Sequence, residues 1–208
     1  MKPKLFQLLT GLSGIVIALA LTAQSTVAMS VVSPSFTELV DTADEIVEGT
    51  VADVHSAWVV NDKGHRVIKT FVRLRVSETA KGTPTAERVL SFFGGTIDGQ
   101  TMVIGGMPTF RKGQRGWFFI KDNGKVICPL IFAHHGAYLV TAPSATGNRF
   151  ITRLNGQPLR SLADIGAPEA TPSAPTLKGT DAGMSAADFG AAVSREFERL
   201  QNAKARQP

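Results

Sequence analysis

Hydrophobic and polar positions along the chain follow two rhythms, and the change between them divides it. From Ile46 to Leu154 apolar residues alternate with polar ones over short runs, while on either side they recur at helical spacing. Ser35-Phe36-Thr37-Glu38 fits a capping box, with Ser at the N-cap and Glu three residues on. Phe36, Leu39, Val40 and Ala43 then fall on one side, so the spacing predicts a helix of two or three turns. Asp41, Asp44 and Glu45 lie on its outer, solvated side.

From Ile46 to Val60 the period becomes two, which predicts a long strand with a bulge near Gly49 or Asp53. Asn61-Asp62-Lys63-Gly64 turns the chain into a second strand from Arg66 to Ala80. There Ile68, Thr70, Val72, Leu74 and Val76 make a core face, and the alternate set faces solvent, Phe71 apart. A strand from Arg88 to Phe93 ends at Gly94-Gly95. Asp98-Gly99 makes a tight turn, and Thr101 to Ile104 are extended. Gly105-Gly106-Met107-Pro108 bends the chain ahead of an aromatic strand from Arg115 to Lys121. Asp122-Asn123-Gly124 is the strongest hairpin signal and predicts a return strand from Lys125 to Phe132. Gly136–Ala142 and Arg149–Leu154 complete the series. Roughly five to eight short strands predict an all-β barrel or sandwich over residues 29–165.

Residues 166–184, rich in Pro, Ala, Thr and Gly, read as a flexible linker. Ser185 then caps a last amphipathic helix over 185–205, with Phe189, Val193, Phe197 and Leu200 on one stripe. That stripe must be buried, either against the barrel or against a partner protein.

The N-terminus changes the picture more than the overall composition does. Lys2 and Lys4 precede an uncharged apolar run from Leu5 to Leu21, and Thr26-Val27-Ala28 offers a cleavage site. Residues 1–28 therefore read as a secretory signal, with an uncleaved membrane anchor as the alternative. No cysteine follows the run, which excludes lipid attachment there, and the expected location is the periplasm or the extracellular space. Setting the two leader lysines aside leaves 20 basic against 17 acidic residues in a chain of 208, scattered along it, so no nucleic-acid partner is expected. Cys128, the single cysteine, lies in an apolar run and reads as a buried structural thiol.

The candidate chemistry is sparse. His134 and His135 are adjacent on an expected strand and point to opposite faces, so a metal site would need His55 and Asp53 or Asp98 to join one of them. Gly94-Gly95 and Gly105-Gly106 precede no helix and lack the Lys-Ser/Thr of a phosphate loop. No serine has a nucleophile-elbow setting, and no cofactor is expected. Met102, Met107, Pro108 and Phe110 form a more natural candidate contact patch.

Ala43 to Val51, Val76 to Gly82 and Phe93-Gly94-Gly95 form one set of motifs. Gly105 to Phe110 with Lys112 to Arg115 form another. Together these motifs resemble a family of uncharacterised secreted bacterial domains found alone or beside matrixin-like metalloproteases. The opening also looks distantly like the OB-type barrel of the netrin and TIMP group. The resemblance implies an OB-like barrel and carries no catalytic residues; the N-terminal cysteine through which TIMP-like inhibitors act has no counterpart here. The resulting expectation is an exported non-enzymatic module that binds another envelope or extracellular protein through the Met102–Phe110 loop and the last helix. The alternatives are a hydrolase, metal-dependent or not, using His55, His134 or His135, and a small-ligand-binding envelope barrel.

Overall fold

The computed structural model describes residues 33–142, 148–167 and 183–206. The expected leader, 1–28, and most of the expected linker lie outside the described residues. The fold is mostly β. Helix α1 (Phe36–Thr42) leads into β1 (Glu45–Val60), β2 (Arg66–Lys81) and β3 (Glu87–Phe93). A small hairpin, β4 (Gly95–Ile97) and β5 (Gln100–Met102), precedes β6 (Arg115–Ile120), β7 (Ala137–Thr141) and β8 (Phe150–Arg153), and α2 (Ala186–Ala205) closes the series. One antiparallel sheet runs β3-β2-β1-β6-β7-β8, and β4-β5 stands apart as a two-stranded ribbon.

The capping box forms as the sequence predicts: the Ser35 backbone N–H donates to Glu38 Oε2 at 2.8 Å, and the Glu38 backbone N–H donates to Ser35 Oγ at 3.2 Å. The bulge expected in β1 is also present, as register shifts after Glu48 and after Val51.

β1 and β6 carry the architecture because both of their faces are buried. On one side Ile46, Trp117 and Phe119 pack with Leu39, Val40, Tyr138, Ile151, Phe189 and Val193, so both helices cover the sheet there. On the other, Val47, Val51, Phe118 and Ile120 meet Val72, Leu74, Leu90, Phe92 and Phe110 inside the curl of the sheet. This is why Trp117 to Ile120 read as a continuous apolar run: a half-exposed strand would alternate.

Two expectations are corrected. The stretch after Asp122-Asn123-Gly124 makes its turn, with Asp122 and Gly124 both at positive φ, but forms no return strand. Pro129 lacks an N–H, and the segment divides its backbone bonds between two strands. Lys121 N–H donates to Pro129 O and Ile131 N–H to Phe119 O beside β6, whereas Phe93 N–H of β3 donates to Ile127 O. Secondly, no strand pairing joins the two ends of the sheet among the described residues, so the strands form an open curled sheet where a barrel was expected.

Candidate functional site

The residues singled out from sequence do not come together. Phe110 is 7% exposed and wedged between Phe92 and Phe118, with ring centroids 5.8 and 5.7 Å away, and Pro108 is buried. Met107 packs half-buried against the same core, and Met102 ends β5 half-buried. Only the tip beyond it is open: Val103 is 81% exposed.

The stripe of α2 lies mostly inside. Phe189 and Val193 have no exposed surface, and Phe197 and Leu200 pack at the margin of the helix-side core. Phe189 touches Phe36, Trp117, Phe119 and Tyr138, at centroid distances of 5.5–6.5 Å. Gly190 explains how the helix comes so close, since a Cβ there would stand 2.9 Å from Trp117 Cζ2. At its rim Thr37 Oγ1 donates to Glu196 Oε1 at 2.6 Å, and Lys204 Nζ donates to Asp41 Oδ1 at 2.6 Å. The Arg199 guanidinium, with help from Thr37, lowers the Glu196 carboxyl to about 2. A partner protein would have to displace the helix before it reached Phe189 or Val193.

The histidines are scattered too. His134 and His135 lie in a 3-10 turn (Ala133–Gly136) and not on a strand, because Phe132, just before it, and Ala133, its first residue, both take positive φ. His55 is exposed on β1; its Nδ1 lies 2.8 Å from Asp53 Oδ2, and that hydrogen bond holds the Asp53 carboxyl below its usual range. Among the described residues no group of three or more His, Cys, Asp or Glu is placed to hold a metal ion.

Glu48 and Cys128 are the polar candidates nearest the body of the fold that bear on chemistry. Glu48 is buried and paired in a fork with Arg115, at 2.9 and 2.8 Å, with Ser77 Oγ donating to it at 3.0 Å. Its carboxylate is saturated, which makes it a structural clamp between β1, β2 and β6. Cys128 lines a cleft of about 270 Å³ with Thr42, Lys121, Val126 and Phe132. Burial pushes its thiol above the ordinary range, away from reactivity. The cleft is smaller than the roughly 300–1,000 Å³ of a drug-sized ligand site.

The surface that stands out was not singled out from sequence. β6 pairs with β1 only from Glu45 to Thr50, and β3 pairs with β2 only from Lys69 to Arg75. Beyond Val51 the β1–β2 hairpin therefore runs on as an arm of roughly 25 Å. One face of the arm carries Ser56, Trp58, Ile68 and Thr70 and is covered by β4, whose Gly95 backbone lies so close to Ser56 and Thr70 that a Cβ would collide with both hydroxyls. Thr70 Oγ1 donates to Gly94 O at 2.7 Å and fixes that crossing.

The other face is open. His55, Ala57 and Val59 of β1, Val67, Lys69 and Phe71 of β2, and Val89 and Phe93 of β3 share it. His55 stacks on Phe71 at 5.6 Å, and Lys69 Nζ sits 4.7 Å over the Phe93 ring. Rings and β-branched side chains beside the Lys69 ammonium on a solvent-facing sheet suit contact with another macromolecule. Phe71, set apart from the solvent side in the sequence pattern, in fact shares that face with Val67 and Lys69 and joins neither core. The signal that could have found the arm is a 16-residue strand, far longer than the usual five or six. Comparison with protein families and known proteins adds nothing to this geometry: no family model matches the chain, and no curated protein and no solved structure matches it.

Proposed function

We propose that the chain is an exported, non-enzymatic module that binds another envelope or extracellular protein, and that the contact is the outer face of the β1–β2 arm. The observation that carries this reading is the placement of Ala57, Val59, Val67, Phe71, Phe93 and Val89 on one solvent-facing sheet surface. Val89 is exposed and the others are at least partly so, although the fold has two cores in which such side chains could be buried. Export follows from the basic and then apolar leader pattern of residues 1–28.

The curl of the sheet supports reading the fold as OB-like, in line with the resemblance to secreted bacterial domains and to the netrin and TIMP barrels. The segment from Asp122 to Ile131 spans from the end of β6 to the free side of β3. There Asn123 Nδ2 donates to Val89 O at 2.7 Å, Ser91 N–H donates to Asn123 Oδ1 at 3.1 Å, and Phe93 N–H donates to Ile127 O. In this reading an irregular segment takes the place of a closing strand around the inner core.

The test is a crosslinking recovery of partners from envelope extract by the full chain, expressed with its own leader, beside a Val59→Glu/Phe71→Glu variant. Both side chains lie off the cores, so the variant keeps its fold by circular dichroism. Loss of a specific protein from the variant supports the reading. An identical set recovered by both chains refutes the arm as the contact.

A further inference from the structure

The edge of the arm carries a second, independent feature. Gly94 N–H donates to Ile68 O, so the Ile68 backbone groups face away from β1. Ile68 is opposite Trp58, and in an antiparallel pair whose groups face outward on one strand they face outward on the other. The N–H and C=O of Trp58 therefore point off the sheet, and those of Val54, Ser56 and Val60 point the same way at alternate positions. Asn61 N–H donating to His65 O, inward, agrees with Val60 facing outward.

β6 stops at Thr50, with Val51 bonded to Gln114 and Gly113, and among the described residues these four outward-facing residues have no backbone partner. Native sheets blunt a free edge with lysine, proline, a bulge or a very short strand, and the only one of these here is the bulge before Val54, at the base of the edge. Between Asp53 and Val60 there is no lysine and no proline, and the two ionisable side chains, Asp53 and His55, are bonded to each other.

Charge indicates what would dock there. The arm from Asp53 to Arg73 holds Lys63, Arg66, Lys69 and Arg73 against Asp53 and Asp62. Arg66 and Lys69 have no carboxylate partner among the described residues; the Arg66 guanidinium carbon rests 4.7 Å from the centroid of Trp58 on the edge strand, whereas Lys69 rests on Phe93 of β3, on the opposite face and away from that edge. A second copy would bring the same surplus of positive charge to the edge.

We propose that the free edge of β1, Val54 to Val60, takes up an extended acidic segment of the partner protein by strand addition. Main-chain bonds to Val54, Ser56, Trp58 and Val60 supply the register, and carboxylates at alternate positions of the added strand, all on the Trp58 face, reach Arg66. This rests on the reading of the arm as a protein contact and deepens it by naming the mode and the chemistry of the partner.

The test uses the full chain and two blocked octapeptides, one alternating Glu with Val and one alternating Lys with Val. Amide hydrogen exchange is read at the four edge residues. The Glu peptide slows their exchange, the Lys peptide does not, and Val60→Pro weakens the Glu peptide about tenfold by removing one donor and crowding the edge. Val60 is 64% exposed and its N–H has no partner among the described residues, so that proline leaves the fold intact.

Equal protection by both peptides, or none by the Glu peptide, overturns the proposal. Protection without any peptide that grows with protein concentration overturns it in favour of self-pairing. If Val60→Pro keeps the partners that Val59→Glu/Phe71→Glu loses, strand addition falls and the arm reading stands; if neither variant changes recovery, both fall.

Discussion

Gly190→Ala tests whether α2 belongs to the core, because the docked and the free helix give opposite signs. In a helix with no neighbour, replacing a mid-helix glycine with alanine adds about 1 kcal/mol of stability through helix propensity alone. Here the new methyl would lie 2.9 Å from Trp117 Cζ2, closer than side-chain carbons approach. Trp117 is fully buried between α2 and the sheet, so its ring has no free space to move into. Such overpacking costs about 1–3 kcal/mol, which outweighs the propensity gain over most of that range.

Phe189→Ala calibrates the measurement. A fully buried phenylalanine replaced by alanine costs about 3–5 kcal/mol, and its four ring neighbours leave little scope for collapse. Phe197→Ala, at the half-buried margin, costs about 1 kcal/mol. Urea titration followed by far-ultraviolet circular dichroism reads all three. Phe189→Ala moves the midpoint down by about 2 M at an ordinary slope, and Gly190→Ala moves it down by less. A midpoint raised by Gly190→Ala, with Phe189→Ala no worse than Phe197→Ala, would show that the helix stands free and would return its stripe to the list of partner surfaces.

Three further outcomes follow from the same packing. Arg115→Met strands the buried Glu48 carboxylate and costs about 3 kcal/mol in the same titration, whereas Ser77→Ala, which removes one of the three hydrogen bonds to it, costs about 1 kcal/mol. Tyr138→Phe leaves stability unchanged or raises its melting temperature, because the Tyr138 hydroxyl is buried with no hydrogen-bond partner among the described residues; a clear loss would reveal a partner for it. Glu196 has a folded-state value of about 2 against 4.5, a depression, so its contribution is complete above about pH 4.5 and fades as the pH falls towards 2. The stability gap between the wild type and Glu196→Gln therefore closes across that window, and a gap that persists below pH 2 refutes the assignment.

Local periodicity was enough to settle several of the elements. The capping box at Ser35, the sixteen-residue β1 with its bulge, the core face of β2 and the stripe of α2 are all short-range patterns, because side-chain direction repeats every two or 3.6 residues whatever the neighbours are. Tertiary structure decided what those patterns touch. Periodicity shows that Phe189 and Val193 need burial but not that Trp117 supplies it, a choice made by Gly190 on one element and β6 on another. It marks Phe110 as apolar, yet the Phe92 and Phe118 rings that enclose it arrive from strands far away in sequence.

The missing return strand after Gly124 is of the same kind. Its turn is local and formed, but whether a strand follows depends on which backbones compete for its hydrogen bonds, and two did. The candidate contact surface was the least legible of all. An edge is free only because another strand, β6, ends at Thr50 and Gly113 and Gln114 reach no further than Val51, and no pattern within β1 records where its neighbour stops.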